Sequence, residues 1–76
     1  MASTTQGPRI VKNCLRELRS ARSLSQGHLA DLMNVTRQTI NAIEADKYDA
    51  SLPLAYKLAA HFDLPVEEVF YNPFKS

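Results

Sequence analysis

The chain has 76 residues, enough for one domain and too few for a separate ligand-binding module, and none of its apolar runs approaches the length of a membrane span. Nine Lys or Arg against eight Asp or Glu give a formal net charge of +1, so neither a strongly basic nor a strongly acidic character dominates. The charge is uneven, however: Met1 to Lys47 holds seven bases and four acids, whereas Tyr48 onward holds two bases and four acids.

Taken in order, the chain opens on MASTTQGPR, small and polar and without the hydrophobic stretch of a signal peptide. This predicts a mobile tail over residues 1–8 ahead of a single domain spanning 9–76. Arg9-Ile10-Val11-Lys12 has β-branched residues at its centre and suits a strand. Asn13 can cap a first helix that turns Leu15 and Leu18 inward and runs to about Ser23, with Leu24 as a bridge. Ser25 is a good N-cap for a second helix, because its hydroxyl can accept from the free amides of the first turn. Leu29, Leu32 and Met33 recur there at helical spacing. Leu32 either widens this stripe or stands exposed. Gly27 weakens the first turn by about 1 kcal/mol relative to Ala, and its missing side chain also permits close approach of a ligand to the backbone. Asn34 tolerates a left-handed conformation and can end the helix sharply, with Val35 following as an apolar plug.

Thr36 caps a third helix in which Ile40, Ile43 and Glu44 share one face. The other face carries Gln38, Asn41, Ala42 and Ala45, with Arg37 beside it in the first turn. That face is polar, lacks acids and suits base edges: Arg can fork onto guanine, Gln and Asn onto adenine, and Ala can touch a thymine methyl. Two short helices joined by a tight turn, the second with such a face, match a helix-turn-helix and its recognition helix. An ordinary helix pair with a solvated polar face is the other reading. On this placement Arg37, Gln38 and Asn41 are the base-contacting candidates, and Gln26, Thr36, Thr39 and Lys47 the phosphate-holding ones. Glu44 lies on the inward side, where a carboxylate needs a partner, and Arg19 ends helix one. Two separate surface charges are the alternative.

Asp46-Lys47-Tyr48-Asp49 is a turn. Ser51 caps a fourth helix with Pro53 in its first turn and Leu54, Leu58, Ala59 and Phe62 as its stripe. Pro65 opens a fifth, packing Val66, Val69 and Phe70. The tail Val69 to Phe74 is aromatic-rich and either pairs with Arg9–Lys12 or frays. Cys14, His28 and His61 are the only Cys and His residues, and none pairs at metal-ligand spacing. No phosphate loop and no acid pair suggests catalysis, so neither an enzyme nor a cofactor is expected. The lone cysteine fits a reducing cytoplasm.

The segments LRELR (15–19), LSQ (24–26), HLADLMNVTRQTINAIE (28–44), DKYDASL (46–52) and LAYKLAAHFDLPVEEVF (54–70) resemble, in order and spacing, the Cro and phage-repressor class of helix-turn-helix proteins, also called the xenobiotic-response-element family. The resemblance is nearest to compact single-domain dimeric members that end shortly after the fifth helix. It implies a mainly all-α, five-helix domain that binds duplex DNA as a two-fold dimer, with a small antiparallel sheet formed by the two terminal segments. It also implies an Arg19–Glu44 pair across the helices, and a Gln26 that reaches a phosphate and buttresses the reading helix. Where the family usually has Gly in the turn after helix three, this chain has Asp46, so the turn is either mildly strained or differently shaped.

Two functions follow as expectations. The first is a cytoplasmic, sequence-specific regulator, a repressor on an inverted-repeat operator, dimerising through Val66, Val69, Phe70, Tyr71 and Phe74, with recognition helices about 34 Å apart. The second is an antitoxin-type or other protein-interaction module of the same fold.

Overall fold

Hydroxyl caps set the start of three of the five helices in the computed structural model, which describes residues 11–74. The helices are α1 (Leu15–Ala21), α2 (Gln26–Met33), α3 (Arg37–Glu44), α4 (Leu52–His61) and α5 (Val66–Val69). Ser25 accepts from the His28 amide, Thr36 from Thr39 and Ser51 from Leu54, each satisfying an amide that the helix cannot. Pro53 sits in the first turn of α4, where its missing N–H is harmless. The expected tail over 1–8, together with Arg9 and Ile10 of the expected strand, lies outside the described residues.

The other ends of α1 to α4 share one device. Ser23, Asn34, Asp46 and Asp63 all take positive φ, between 57° and 60°, one residue or two past their helices. Each is followed by an amide that reaches back to a carbonyl five residues earlier: Leu24 to Arg19, Val35 to Ala30, Lys47 to Ala42 and Leu64 to Ala59, at 2.9 to 3.0 Å. This is the bonding of a Schellman cap, usually built on Gly. Leu24, Val35 and Leu64 then fold onto the core, the hydrophobic contact that accompanies such caps. Asp46 therefore takes the left-handed geometry at φ 59°, a conformation that glycine adopts more readily.

Every helix sends a side chain to the centre. Leu15, Leu29, Ile40, Ile43, Leu58 and Val69 are all below 2 % exposed, and Met33, Leu54, Ala59 and Phe62 close around them. α2 packs on α3 and on α4, and α4 on α5. Leu32 is 47 % exposed and lies outside this core. Two cations close helix ends: Lys57 donates to the Met33 carbonyl (2.8 Å) and Arg22 to that of His61 (2.9 Å), both favourable against the negative end of a helix dipole. Arg22 also lies over the Phe62 ring, 4.9 Å from its centroid.

The expected terminal sheet is reduced, among the described residues, to one antiparallel bridge between Asn13 and Phe70. The Cys14 amide donates to Val69 (3.1 Å) and the Tyr71 amide to Lys12 (2.8 Å). The Val11 amide is taken by the Asp49 carboxylate (2.9 Å), Asn72 accepts from the Phe74 amide (2.8 Å), and Pro73 between them has no N–H. Asn13 works on both sides of this bridge. Its Oδ1 accepts from the Leu15 amide at the start of α1 (3.0 Å), while Nδ2 donates to the Ile43 carbonyl near the end of α3 (2.9 Å). Cys14 stands at the N-cap position, half-buried, with its thiol donating to the Glu68 carbonyl. No helix of the described residues is long and apolar enough to cross a membrane.

Candidate nucleic-acid interface

The site grows from Glu44, the last residue of α3. Its side chain has no solvent exposure, and an isolated carboxylate there would be costly. Arg19 meets it with two hydrogen bonds, Nε to Oε2 at 2.7 Å and Nη2 to Oε1 at 3.0 Å, the fork geometry for which guanidinium is suited. The third Arg19 nitrogen donates to the Leu24 carbonyl (2.8 Å), tying the α1–α2 connection into the same cluster. Arg16, still largely exposed, brings its Nε within 3.7 Å of Oε1. Burial pushes the Glu44 carboxyl up. The hydrogen bonds from Arg19 and Gln26 and the charges of Arg19 and Arg16 outweigh it and hold the carboxyl below its ordinary range. The Glu44 hydrogen bond raises Arg19 in turn, against the opposing effect of burial.

Gln26, the first residue of α2, is drawn into this cluster. Its Nε2 donates to Glu44 Oε1 (3.0 Å) and its Oε1 accepts from Asn41 Nδ2 (3.4 Å). The side chain is thus a strut between α2 and α3, with one polar end on the covered Glu44 carboxylate and the other on Asn41 at the surface.

Beyond the strut, α3 presents Arg37, Gln38 and Asn41, all exposed. They and Gln26 line a surface hollow of about 300 Å³. A neighbouring hollow of about 460 Å³ is lined by Arg19, Ser25, Gln26, Gly27 and Arg37. Arg37 borders both and so joins the base-reading candidates to the N-terminus of α2. Thr36 is exposed and Thr39 half-buried; their hydroxyls lie 3.0 Å apart, and both belong to the α3 cap. Lys47 is exposed in the turn after α3. A Cβ on Gly27 would meet nothing within 4 Å, so internal packing does not require glycine there. Arg16 and Arg19 meet the acid Glu44, and Arg37 shares a hollow with Arg19, which leaves this rim cationic. The arrangement can accept a polyanion at its edge and hydrogen-bond polar groups at its centre. No group of three His, Cys, Asp or Glu among the described residues could hold a metal ion.

A helix-turn-helix family profile matches residues 15–69. The chain belongs to this helix-turn-helix family. Among the relatives of this helix-turn-helix protein, an uncharacterised HTH-type transcriptional regulator of Methanocaldococcus jannaschii is 47 % identical over 60 residues, covering 79 % of this chain and 91 % of the relative. A second, from Bacillus subtilis, is 43 % identical over 61 residues, covering 80 % and 92 %. Of solved structures, the restriction-modification controller protein C.AhdI from Aeromonas hydrophila is 39 % identical with a TM-score of 0.64, over 71 % of this chain and 78 % of that one. A hypothetical transcription factor from Neisseria, at 24 % identity and a TM-score of 0.67 over 78 % and 68 %, shares the fold. Family membership makes the chain a transcriptional regulator, not an enzyme.

The helix-turn-helix protein carries a second feature at the end of α5. Of the five residues expected to form a dimer surface, Val69 is fully buried in its own core and cannot be presented to another copy. Val66 and Phe70 are half-buried against that core, while Tyr71 and Phe74 are 47 % and 75 % exposed. Sequence reasoning missed Leu52 and Tyr56, which are 67 % and 57 % exposed. The signal was their spacing of four, on a different side of α4 from the Leu54–Leu58 stripe. A hollow of about 280 Å³ beside Leu52 is lined also by Val11, Ala50, Ala55 and Phe70. Reasoning from sequence likewise missed Arg16 beside Glu44, and it gave Gln26 as a buttress of the reading helix without naming Glu44 and Asn41 as what it meets.

Proposed function

We propose that this helix-turn-helix protein binds duplex DNA sequence-specifically, α3 lying in the major groove. Arg37, Gln38 and Asn41 contact bases, and Gln26, Thr36, Thr39 and Lys47 hold the phosphates on either side. The observation that carries this reading is the anchoring of α3 through Glu44, with an acid-free polar face exposed above a cationic rim. Because the Gln26 side chain is engaged with Glu44 and Asn41, its contribution to phosphate binding comes through its position at the positive end of α2.

The protein acts as a homodimer in the cytoplasm, on an inverted-repeat operator with half-site centres one helical turn apart, and represses by excluding polymerase. The exposed apolar residues Leu52, Tyr56, Tyr71 and Phe74 support a second-copy surface, and the thin core of so small a domain favours one. The likeness to a controller protein supports a regulatory role. The same apolar residues also support a second reading, an interaction module that binds a different protein. Selection of bound fragments from a random duplex library, with sedimentation of the free protein, tests the proposal. Enrichment of an inverted repeat by a dimer is expected. A monomer that enriches no sequence refutes it.

A further inference from the structure

We infer that Glu44 fixes the hydrogen-bonding polarity of Asn41, making Asn41 a reader of adenine. The inference rests on the DNA-binding reading above and deepens it. A carboxylate with no proton only accepts hydrogen bonds. Glu44 Oε1 can therefore face only the NH2 end of Gln26, which lies 3.0 Å away. The assignment of the Gln26 amide follows from this chemistry rather than from the similar shapes of oxygen and nitrogen. Gln26 Oε1 is then forced to the other side, where it meets Asn41 at 3.4 Å. Two oxygens would repel there, so Asn41 turns its own NH2 inward. Its Oδ1 is left on the outer edge, beside the second N–H of the same NH2.

That edge offers an acceptor next to a donor. Adenine offers the complement in the major groove, an N6 donor and an N7 acceptor. Cytosine matches only the acceptor, through its N4 donor. Guanine and thymine turn O6 or O4 toward Oδ1, oxygen against oxygen. Without the network, an asparagine amide can flip to suit either kind of base. The buried acid thus chooses among bases through two intervening amides, without touching DNA itself.

The test uses the full chain and three selections from a random duplex library: wild type, Asn41→Ala and Gln26→Ala. Asn41→Ala identifies the position that Asn41 reads, since preference is lost there. Wild type is expected to favour adenine at that position over guanine and thymine by about fivefold or more. Gln26→Ala removes the strut while leaving both Arg19 hydrogen bonds to Glu44. It is expected to level the preference at that position and keep those set by Arg37 and Gln38. A thermal melt checks that this variant is folded, and if it is not, the base chosen by wild type at the Asn41-dependent position decides alone. Guanine or thymine at that position overturns the inference. So does an unchanged preference in folded Gln26→Ala, or an Asn41→Ala selection identical to wild type. If wild type enriches nothing, the DNA-binding reading itself has failed and the inference falls with it.

Discussion

Arg19 and Glu44 stand 25 positions apart in the chain, yet their side chains meet through two hydrogen bonds with the carboxylate wholly covered. The pair sets the recognition helix against the first helix, because neither partner is tolerable there alone. Arg19→Ala and Glu44→Ala are each expected to destabilise the fold by about 3–5 kcal/mol, the effect of leaving an uncompensated buried charge. The double variant should lose clearly less than the sum of the two. Urea melts of the four proteins check this, and strict additivity would show that the two side chains act independently.

The same carboxylate gives stability a pH dependence of known sign. The Glu44 pKa is lowered in the folded state, so its contribution is complete above the unfolded value of about 4.3 and is lost as pH falls through the lower folded value. Between pH 7 and 5 the urea midpoint should barely change on this account, and it should drop on further acidification. Glu44→Gln cannot titrate. Its deficit relative to wild type should therefore narrow in acid, and a deficit that stays constant down to pH 2 would exclude this origin.

Gly27 sits in the first turn of α2 with open space where its Cβ would be. Gly27→Ala should stabilise the isolated protein by up to about 1 kcal/mol, since alanine is the better helix former. It should also weaken duplex binding, because the added methyl stands between the α2 backbone and a phosphate. Differential melting and a binding isotherm on one preparation separate these opposite effects. A variant that binds more tightly would remove the close-approach role.

Base and backbone contacts should separate by salt and sequence. Arg37→Ala and Gln38→Ala should each lose about 1–3 kcal/mol on a selected operator and relax preference at one position. Lys47→Ala should weaken all sequences alike and reduce the slope of log K against log salt by about one. Titrations at several salt concentrations on selected and scrambled duplexes provide the check. A Gln38→Ala protein with wild-type affinity and preference would displace Gln38 from the reading face.

For the apolar surface, the burial of Val69 changes which variants are informative. Val69→Ala should lower stability by on the order of 2 kcal/mol through lost core packing, whatever the assembly state. Leu52→Lys and Tyr56→Glu alter exposed positions and should yield folded monomers with weaker operator binding. Sedimentation at micromolar concentration distinguishes the two classes. Dimers that survive both surface changes would move the interface elsewhere.

Much of this architecture was legible because its determinants are local. Ser25, Thr36 and Ser51 announce helix starts by chemistry, and the spacing of Leu29, Ile40, Ile43, Leu54 and Leu58 marks the inward faces. Asn34 was recognisable as a left-handed stop, but Ser23 and Asp63 were not, because neither residue type is diagnostic outside its context. The partner of Glu44 could be sought because a buried acid demands one. That Gln26 would face Glu44 rather than solvent depended on the distance between two helices, which no periodicity encodes. Val69 was misplaced for a related reason. An apolar residue in a short terminal helix has the same pattern whether it covers its own core or a neighbour's surface, and only packing distinguishes the two. The terminal strands shrank to one bridge because Pro73, two positions past Tyr71, has no N–H with which to extend the ladder.

The bridge between Asn13 and Phe70 has a consequence for how the molecule folds. None of the five helices exceeds ten residues, and helices so short are marginal in water without partners. The clasp joins distant parts of the chain: Cys14 and Glu68, which meet beside it, lie 54 positions apart. Loop-closure entropy must be overcome before these contacts return any stability. The chain is therefore expected to acquire its clasp late, after α2, α3 and α4 have found one another. Variants at Asn13 should then speed unfolding more than they slow folding. A helical domain is thereby made to wait for the segments flanking its first and last helices to meet.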